Sequence, residues 1–104
     1  MESLTAIHRI DETVHGRVRL GVLAYLSTSG CADFTTLVEA TGSTKGNLSS
    51  HLSKLEEAGY VDIAKAFVGK KTRTTICLTP SGEKAFSDYL GVLKSIVEHF
   101  PFRV

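Results

Sequence analysis

The chain of 104 residues has no tryptophan, only two prolines and two cysteines, and no apolar run near the roughly 20 residues that span a bilayer. Cys31 and Cys77 lie far apart, and neither belongs to a Cys-x-x-Cys or Cys-x-Cys pair, which argues against a thiolate zinc site. Two cysteines make no disulfide framework. Both are expected to be reduced thiols in a cytoplasmic protein, acting as small buried hydrophobes, with a redox-sensing role left open. His8, His15, His51 and His99 show no metal-ligand spacing, and the chain has no Gly-rich phosphate loop and no nucleophile elbow. The expectation is a protein with no catalytic residues, no metal and no cofactor. The N-terminus carries no basic-then-apolar signal pattern.

What is present is one domain's worth of ordinary globular composition, with a net charge of +1. The distribution of that charge is uneven. Residues 43–79 hold six Lys/Arg against three Asp/Glu, a local +3, while the remainder holds six against eight, a local −2. Residues 65–73 carry four cations and no acid. Such asymmetry suits a protein with one face toward phosphates.

The most informative stretch is Ser43 to Val61. Leu48, Leu52 and Leu55 recur at i, i+4 and i+7 and define one apolar stripe. The opposite arc holds Ser43, Gly46, Asn47, Ser50, Ser53, Lys54 and Glu57. A helix face that needs only solvation more often carries Glu, Lys and Arg, because Ser and Gly are poorer helix formers. Small neutral side chains allow something else to approach closely, and the edges of base pairs fit that description. Gly42-Ser43 is read as the turn and N-cap, and Gly59 as the left-handed stop. Just upstream, residues 33–41 read as a shorter helix capped by Asp33, with Phe34, Leu37 and Val38 apolar. Short helix, Gly-containing turn and longer helix form a helix-turn-helix pattern; a plain helical hairpin within a core is the alternative.

The rest of the chain frames this pair. Leu4, Ile7, Ile10 and Val14 suggest a short amphipathic helix that ends before Gly16. Residues 17–28 suggest a core helix in which Arg17 and Arg19 either reach phosphate or are merely solvated. After Gly59 the period shifts to alternation: residues 61–67 and 74–79 read as two strands joined by the basic loop 68–73, a β-hairpin that follows the longer helix directly. A hairpin in that place is a wing, and a basic tip suits phosphate or minor-groove contact. Thr79-Pro80 then opens a last helix, with Thr79 as cap and Pro80 at the first position. Its apolar residues form two stripes, Phe86, Leu90, Leu93, Val97 and Phe100 beside Tyr89, Val92 and Ile96. That arc is wide for one small domain, so packing on the N-terminal helix and on a second subunit is expected.

These residues resemble the small stand-alone winged-helix transcriptional regulators of the MarR/ArsR superfamily, in particular the compact winged-helix DNA-binding domains. The resemblance rests on residues 15–20 and 33–34, on the block Gly46-Asn47-Leu48-Ser49-Ser50-His51-Leu52 continuing to Val61, on residues 67–71 with Arg73-Thr74, and on Leu78-Thr79-Pro80-Ser81-Gly82. It covers roughly residues 8–98. It implies a dimeric regulator that places residues 43–58 in a major groove with the wing alongside, and that dimerises through its terminal helices. No Cys-Val-Cys motif is present, so the metal sensing of the ArsR branch is not carried over.

The expected architecture is mainly α with a two-stranded β-wing (α+β). It is a single winged helix-turn-helix domain over residues 1–104, with the helix-turn-helix at about 33–58, the wing at about 61–79 and dimerisation helices at both ends, the C-terminal one at about 80–100. The expected function is sequence-specific binding of double-stranded DNA by a homodimer, with an unidentified small-molecule effector allowed for. A winged-helix module that binds protein instead is the alternative. The DNA-contacting set is Ser43, Lys45, Gly46, Asn47, Ser49, Ser50, His51, Ser53, Lys54, Lys70, Lys71 and Arg73; for His51, packing or capping competes with phosphate contact. The dimer set is Leu4, Ile7, Tyr89, Leu90, Leu93, Ile96, Val97 and Phe100.

Overall fold

The computed structural model describes residues 6–99. Leu4 and Phe100, expected at a dimer interface, lie outside the described residues. The chain runs through a 3-10 turn (Ile7–Arg9), α1 (Arg17–Ser29), β1 (Cys31–Asp33), α2 (Phe34–Thr41), α3 (Lys45–Glu57), β2 (Val61–Val68), β3 (Lys71–Leu78) and α4 (Pro80–Glu98). The sheet has the order β1-β3-β2 and is antiparallel throughout.

Helix ends follow local chemistry. Asp33 caps α2, its carboxylate accepting from Thr36 N–H at 2.7 Å. Thr79 caps α4 by accepting from Gly82 N–H at 2.9 Å, and Pro80 takes the first helical position, where no N–H is needed. Gly59, at φ 79°, ends α3 in the left-handed region, and Tyr60 N–H then reaches back to Leu55 C=O. One boundary differs from expectation. Thr44, not Ser43, caps α3 by accepting from Asn47 N–H at 3.1 Å. Ser43 stays in the turn, its hydroxyl 2.7 Å from that of Thr41.

The core is a single cluster. Leu48, Leu52 and Leu55 of α3 meet Val18, Val22, Leu23 and Leu26 of α1, Leu37 of α2, Val61 and Ile76 of the sheet, and Tyr89 of α4. The three α3 leucines are the stripe read from the spacing, and burying each relative to exposure is worth about 2 kcal/mol. Arg17, expected to reach phosphate or solvent, instead donates to the Thr41 carbonyl at 2.8 Å and ties α1 to the end of α2.

Three expectations need correction. The amphipathic helix expected from Leu4 to Val14 does not continue through residues 7–14, where only the 3-10 turn and a hydrogen-bonded turn at Asp11–Val14 are present, with Val14 buried beneath; Leu4 lies outside the described residues. The two-stranded wing is present as β2 and β3, but among the described residues its sheet has a third strand that was not expected. Strand β1 is three residues long, too short to show alternation, and exists because Cys31, Ala32 and Asp33 pair with Cys77, Ile76 and Thr75. That pairing produces the third correction: Cys31 and Cys77 are not separate thiols but form a disulfide between directly opposed residues, with Cα atoms 4.0 Å apart. The bond joins the start of the helix-turn-helix to the root of the hairpin, and the cysteine pattern no longer argues for a reducing compartment.

Candidate nucleic-acid interface

The apolar stripe of α3 has only one way to face, and its opposite side is therefore presented outward. Lys45, Gly46, Asn47, Ser49, Ser50, Ser53 and Lys54 are all exposed, and Glu57 closes the arc. Gly46 is informative. Glycine inside a helix costs about 1 kcal/mol relative to alanine, yet a Cβ placed there would meet nothing within 4 Å. No packing among the described residues requires it.

The hairpin stands beside this face. Past Thr75, where β1 stops pairing, β2 and β3 continue as a two-stranded ribbon through Lys65↔Thr74, Ala66↔Arg73, Phe67↔Thr72 and Val68↔Lys71. Four more residue pairs extend it by about 13 Å. Gly69 at φ 66° turns the chain, with Lys70 after it. Two clefts separate ribbon and helices. One, of about 350 Å³, lies between Ser49, Ser53 and Glu56 of α3 and Lys65 and Thr74 of the ribbon. The other, of about 520 Å³, brings Lys45 of α3 together with Lys71 and Arg73 of β3 and with Asp33 and Thr35 at the start of α2. Cations from two elements thus converge on one groove.

Asp33 has two tasks there. Hydrogen bonding from Thr36 N–H holds its carboxyl below the usual carboxylate range, with the Arg73 guanidinium a lesser contributor. The Arg73 contact is a loose 3.8 Å ion pair on the surface, where solvent screens it.

His51 sits on the flank of α3, half-buried. Burial lowers its pKa, and the neighbouring charges of Arg19 and Lys54 lower it further. Its Nδ1 and the Nε of Arg19 are buried atoms without a hydrogen-bond partner among the described residues. The unfolded imidazole takes a proton near pH 6.5, whereas the folded one stays neutral to lower pH. The unfolded chain therefore binds more protons in that window, and stability falls as pH drops below about 6.5. Thermal unfolding followed across that range should show a steeper loss for the wild type than for His51→Gln; equal slopes would remove this role.

The remaining expected residues divide in two. Lys70, Lys71 and Arg73 are exposed along the ribbon, as a wing requires. Of the residues expected at a dimer interface, Ile7, Leu90 and Val97 are 58%, 46% and 51% exposed, whereas Leu93 and Ile96 are half-buried. Tyr89 departs from its expected place at a dimer interface: it is 2% exposed, packs in its own core, and its hydroxyl lies 2.7 Å from His15 Nδ1. The apolar stripes of α4 are thus divided with Gly82, Ala85, Phe86, Tyr89 and Leu93 inward and Leu90 and Val97 outward. Lys65, Asp33 as a partner of Arg73, and the exposed Phe67 were not among the residues expected at the site. Strand register, which brings Lys65 opposite Thr74, is the signal that locates the first.

No helix among the described residues is long and apolar enough to cross a membrane, and no group of three or more His, Cys, Asp or Glu among them is placed to hold a metal. An uncharacterized protein of Methanocaldococcus jannaschii is 38% identical over 73 residues, 70% of this chain and 79% of that protein. The transcriptional regulator homologue from Pyrococcus horikoshii OT3 superposes with a TM-score of 0.86 at 28% identity, over 98% of this chain and all of that one. A MarR-family transcriptional regulator from Silicibacter pomeroyi shares the fold at a TM-score of 0.68 and 18% identity, covering 92% of this chain and 64% of its own. The two solved structures are of a transcriptional regulator homologue and a MarR-family regulator, and this chain shares their fold. The winged helix DNA-binding domain family matches residues 18–97, and the chain belongs to it.

Proposed function

We propose that the protein is a sequence-specific regulator that binds double-stranded DNA as a homodimer, with α3 in the major groove and the ribbon on the adjoining backbone or minor groove. The observation that carries this reading is the outward arc of α3: small, neutral and exposed, with Gly46 free of any packing duty and cations gathered on the wing side. A protein-binding surface would favour Trp, Tyr and Arg at its centre, and this arc has none of them.

Asn47 is the candidate for bidentate recognition of adenine, with Ser49 and Ser50 reaching bases or phosphates. Lys54, Lys70, Lys71 and Arg73 supply the salt-dependent attraction to phosphates, and Lys45 adds to it from the mouth of the groove. A second copy is the proposed occupant of the α4 face that exposes Leu90 and Val97, with Ile7 as a further exposed apolar residue. Two-fold symmetry then spaces the recognition helices about 34 Å apart, one turn of DNA. On this reading the protein works beside the chromosome in the cytoplasm, and no effector is named.

Asn47→Ala should narrow the gap between preferred and scrambled duplexes by about 1–3 kcal/mol while leaving affinity for the scrambled one unchanged. Fluorescence anisotropy with both duplexes measures this. Equal losses on the two would take Asn47 out of base recognition. Sedimentation equilibrium tests the dimer, with Leu90→Glu expected to give monomers.

A further inference from the structure

The ribbon tip carries apolar side chains that no helix covers. Phe67 is 80% exposed and Val68 beside it 60%. The register puts Phe67 and Thr72 on the same ribbon face as Lys65 and Thr74, and further back as Ile63 and Ile76. That face is the one that covers α3: Ile76 is fully buried, and Ile63, Lys65 and Thr74 line the cleft opposite Ser49 and Ser53. Phe67 therefore continues the core face of the sheet beyond the last point where a helix among the described residues covers it, on the side where Ser49 and Ser53 of α3 line the cleft. A small threonine opposite leaves the ring standing clear.

Its surroundings indicate what meets it. Lys65, Lys70, Lys71 and Arg73 surround the ring in sequence, and no acid occurs between Ile63 and Gly82. A second copy of the same tip would be repelled by these charges. An apolar side chain flanked by cations is what a narrow, phosphate-lined groove accommodates: the cations meet the two backbones, and the ring enters between neighbouring base pairs.

We infer that Phe67 is an apolar wedge that enters the minor groove and partly unstacks a base step, so that the wing bends DNA as well as gripping it. This rests on the DNA-binding reading above and extends it. Unstacking is easiest at pyrimidine–purine steps such as TA and CA, so part of the sequence preference arises where α3 touches nothing.

The test uses the full-length protein and the duplex that binds best after selection from random DNA. 2-Aminopurine replaces its adenines one at a time, and donor and acceptor dyes sit at the ends of a second preparation. Wild-type binding should raise 2-aminopurine fluorescence at one step per half-site and shorten the end-to-end distance. Phe67→Ala should abolish both signals and weaken binding roughly tenfold, with its thermal midpoint nearly unchanged because the residue is 80% exposed. Phe67→Leu should retain most of the bend. Lys70→Ala/Lys71→Ala should weaken binding yet still kink the DNA when saturated. If wild type and Phe67→Ala bind and bend alike, the wedge is overturned and the DNA-binding reading survives. If wild type binds no duplex beyond nonspecific affinity, both fall.

Discussion

Gly82→Ala should lower stability by about 3 kcal/mol, a loss on the order of 15 °C in thermal midpoint for a domain of this size. Gly82 lies in the first turn of α4, fully inside the molecule. A Cβ there would run into the backbone carbonyl of Tyr60 and come within 2.8 Å of Leu78 Cδ1. The obstacle is mainly backbone, and it has little room to move. Tyr60 C=O already accepts from Thr79 N–H at 3.1 Å, Thr79 Oγ1 donates to Gly59 C=O, and the Tyr60 hydroxyl donates to Asp11 at 2.6 Å. That last bond raises the Tyr60 pKa to about 12. The methyl group therefore pushes apart the junction where α3 ends, β2 begins and α4 starts. Since this junction sets the ribbon's position relative to α3, whatever folded protein remains should also bind DNA less tightly. Thermal denaturation followed by circular dichroism checks the first effect. A midpoint within a few degrees of wild type would show that the junction yields more easily than its hydrogen bonds imply.

Replacing Lys70, Lys71 and Arg73 together with alanine should reduce DNA affinity on the order of 100-fold near 0.1 M salt. The same change should flatten the dependence of log affinity on log salt by roughly 2 to 3 per protomer, about 0.9 for each phosphate no longer neutralised. All three side chains are exposed on a free ribbon, so folding should be nearly unaffected. Arg73 is the member with another partner. Its loose pair with Asp33 is exchanged for a phosphate on binding, so its share should be the smallest. Salt titrations of the single and triple variants separate the three. An unchanged slope would mean that the ribbon does not touch phosphate at all.

Features that local chemistry governs were legible from the residues alone. Thr79-Pro80 marks the start of α4, Asp33 caps α2 and Gly59 stops α3, because each acts on groups within four residues of itself. The leucine stripe of α3 was legible for the same reason: helical period converts spacing directly into a face. Features that depend on distant pairing were not. Strand β1 has no pattern of its own and is made by β3. The Cys31–Cys77 bond joins residues 46 apart in sequence, a distance over which spacing carries no information. Alternation placed Phe67 with Val61 and Ile63 correctly, but it could not show that the ring is left 80% exposed while Val61 and Ile76 on the same face are buried. On α4 both apolar stripes were visible, but only packing shows that Tyr89 turns inward while Leu90 and Val97 stay outside.

For the candidate interface, spacing located α3's polar arc and the basic tip; in the fold Ser49 and Ser53 line one cleft beside the ribbon, and Lys45, Lys71 and Arg73 line a second. What spacing could not supply was the third dimension: Asp33 beside Arg73, and Lys65 facing Ser49 and Ser53. The direct trial of this arrangement is selection of bound sequences from random duplex DNA at rising salt. The account predicts enrichment of a two-fold symmetric site whose halves lie about one helical turn apart, with adenine at the position that Asn47→Ala relaxes. Recovery of no sequence above the starting pool, with binding that simply fades as salt rises, would contradict it.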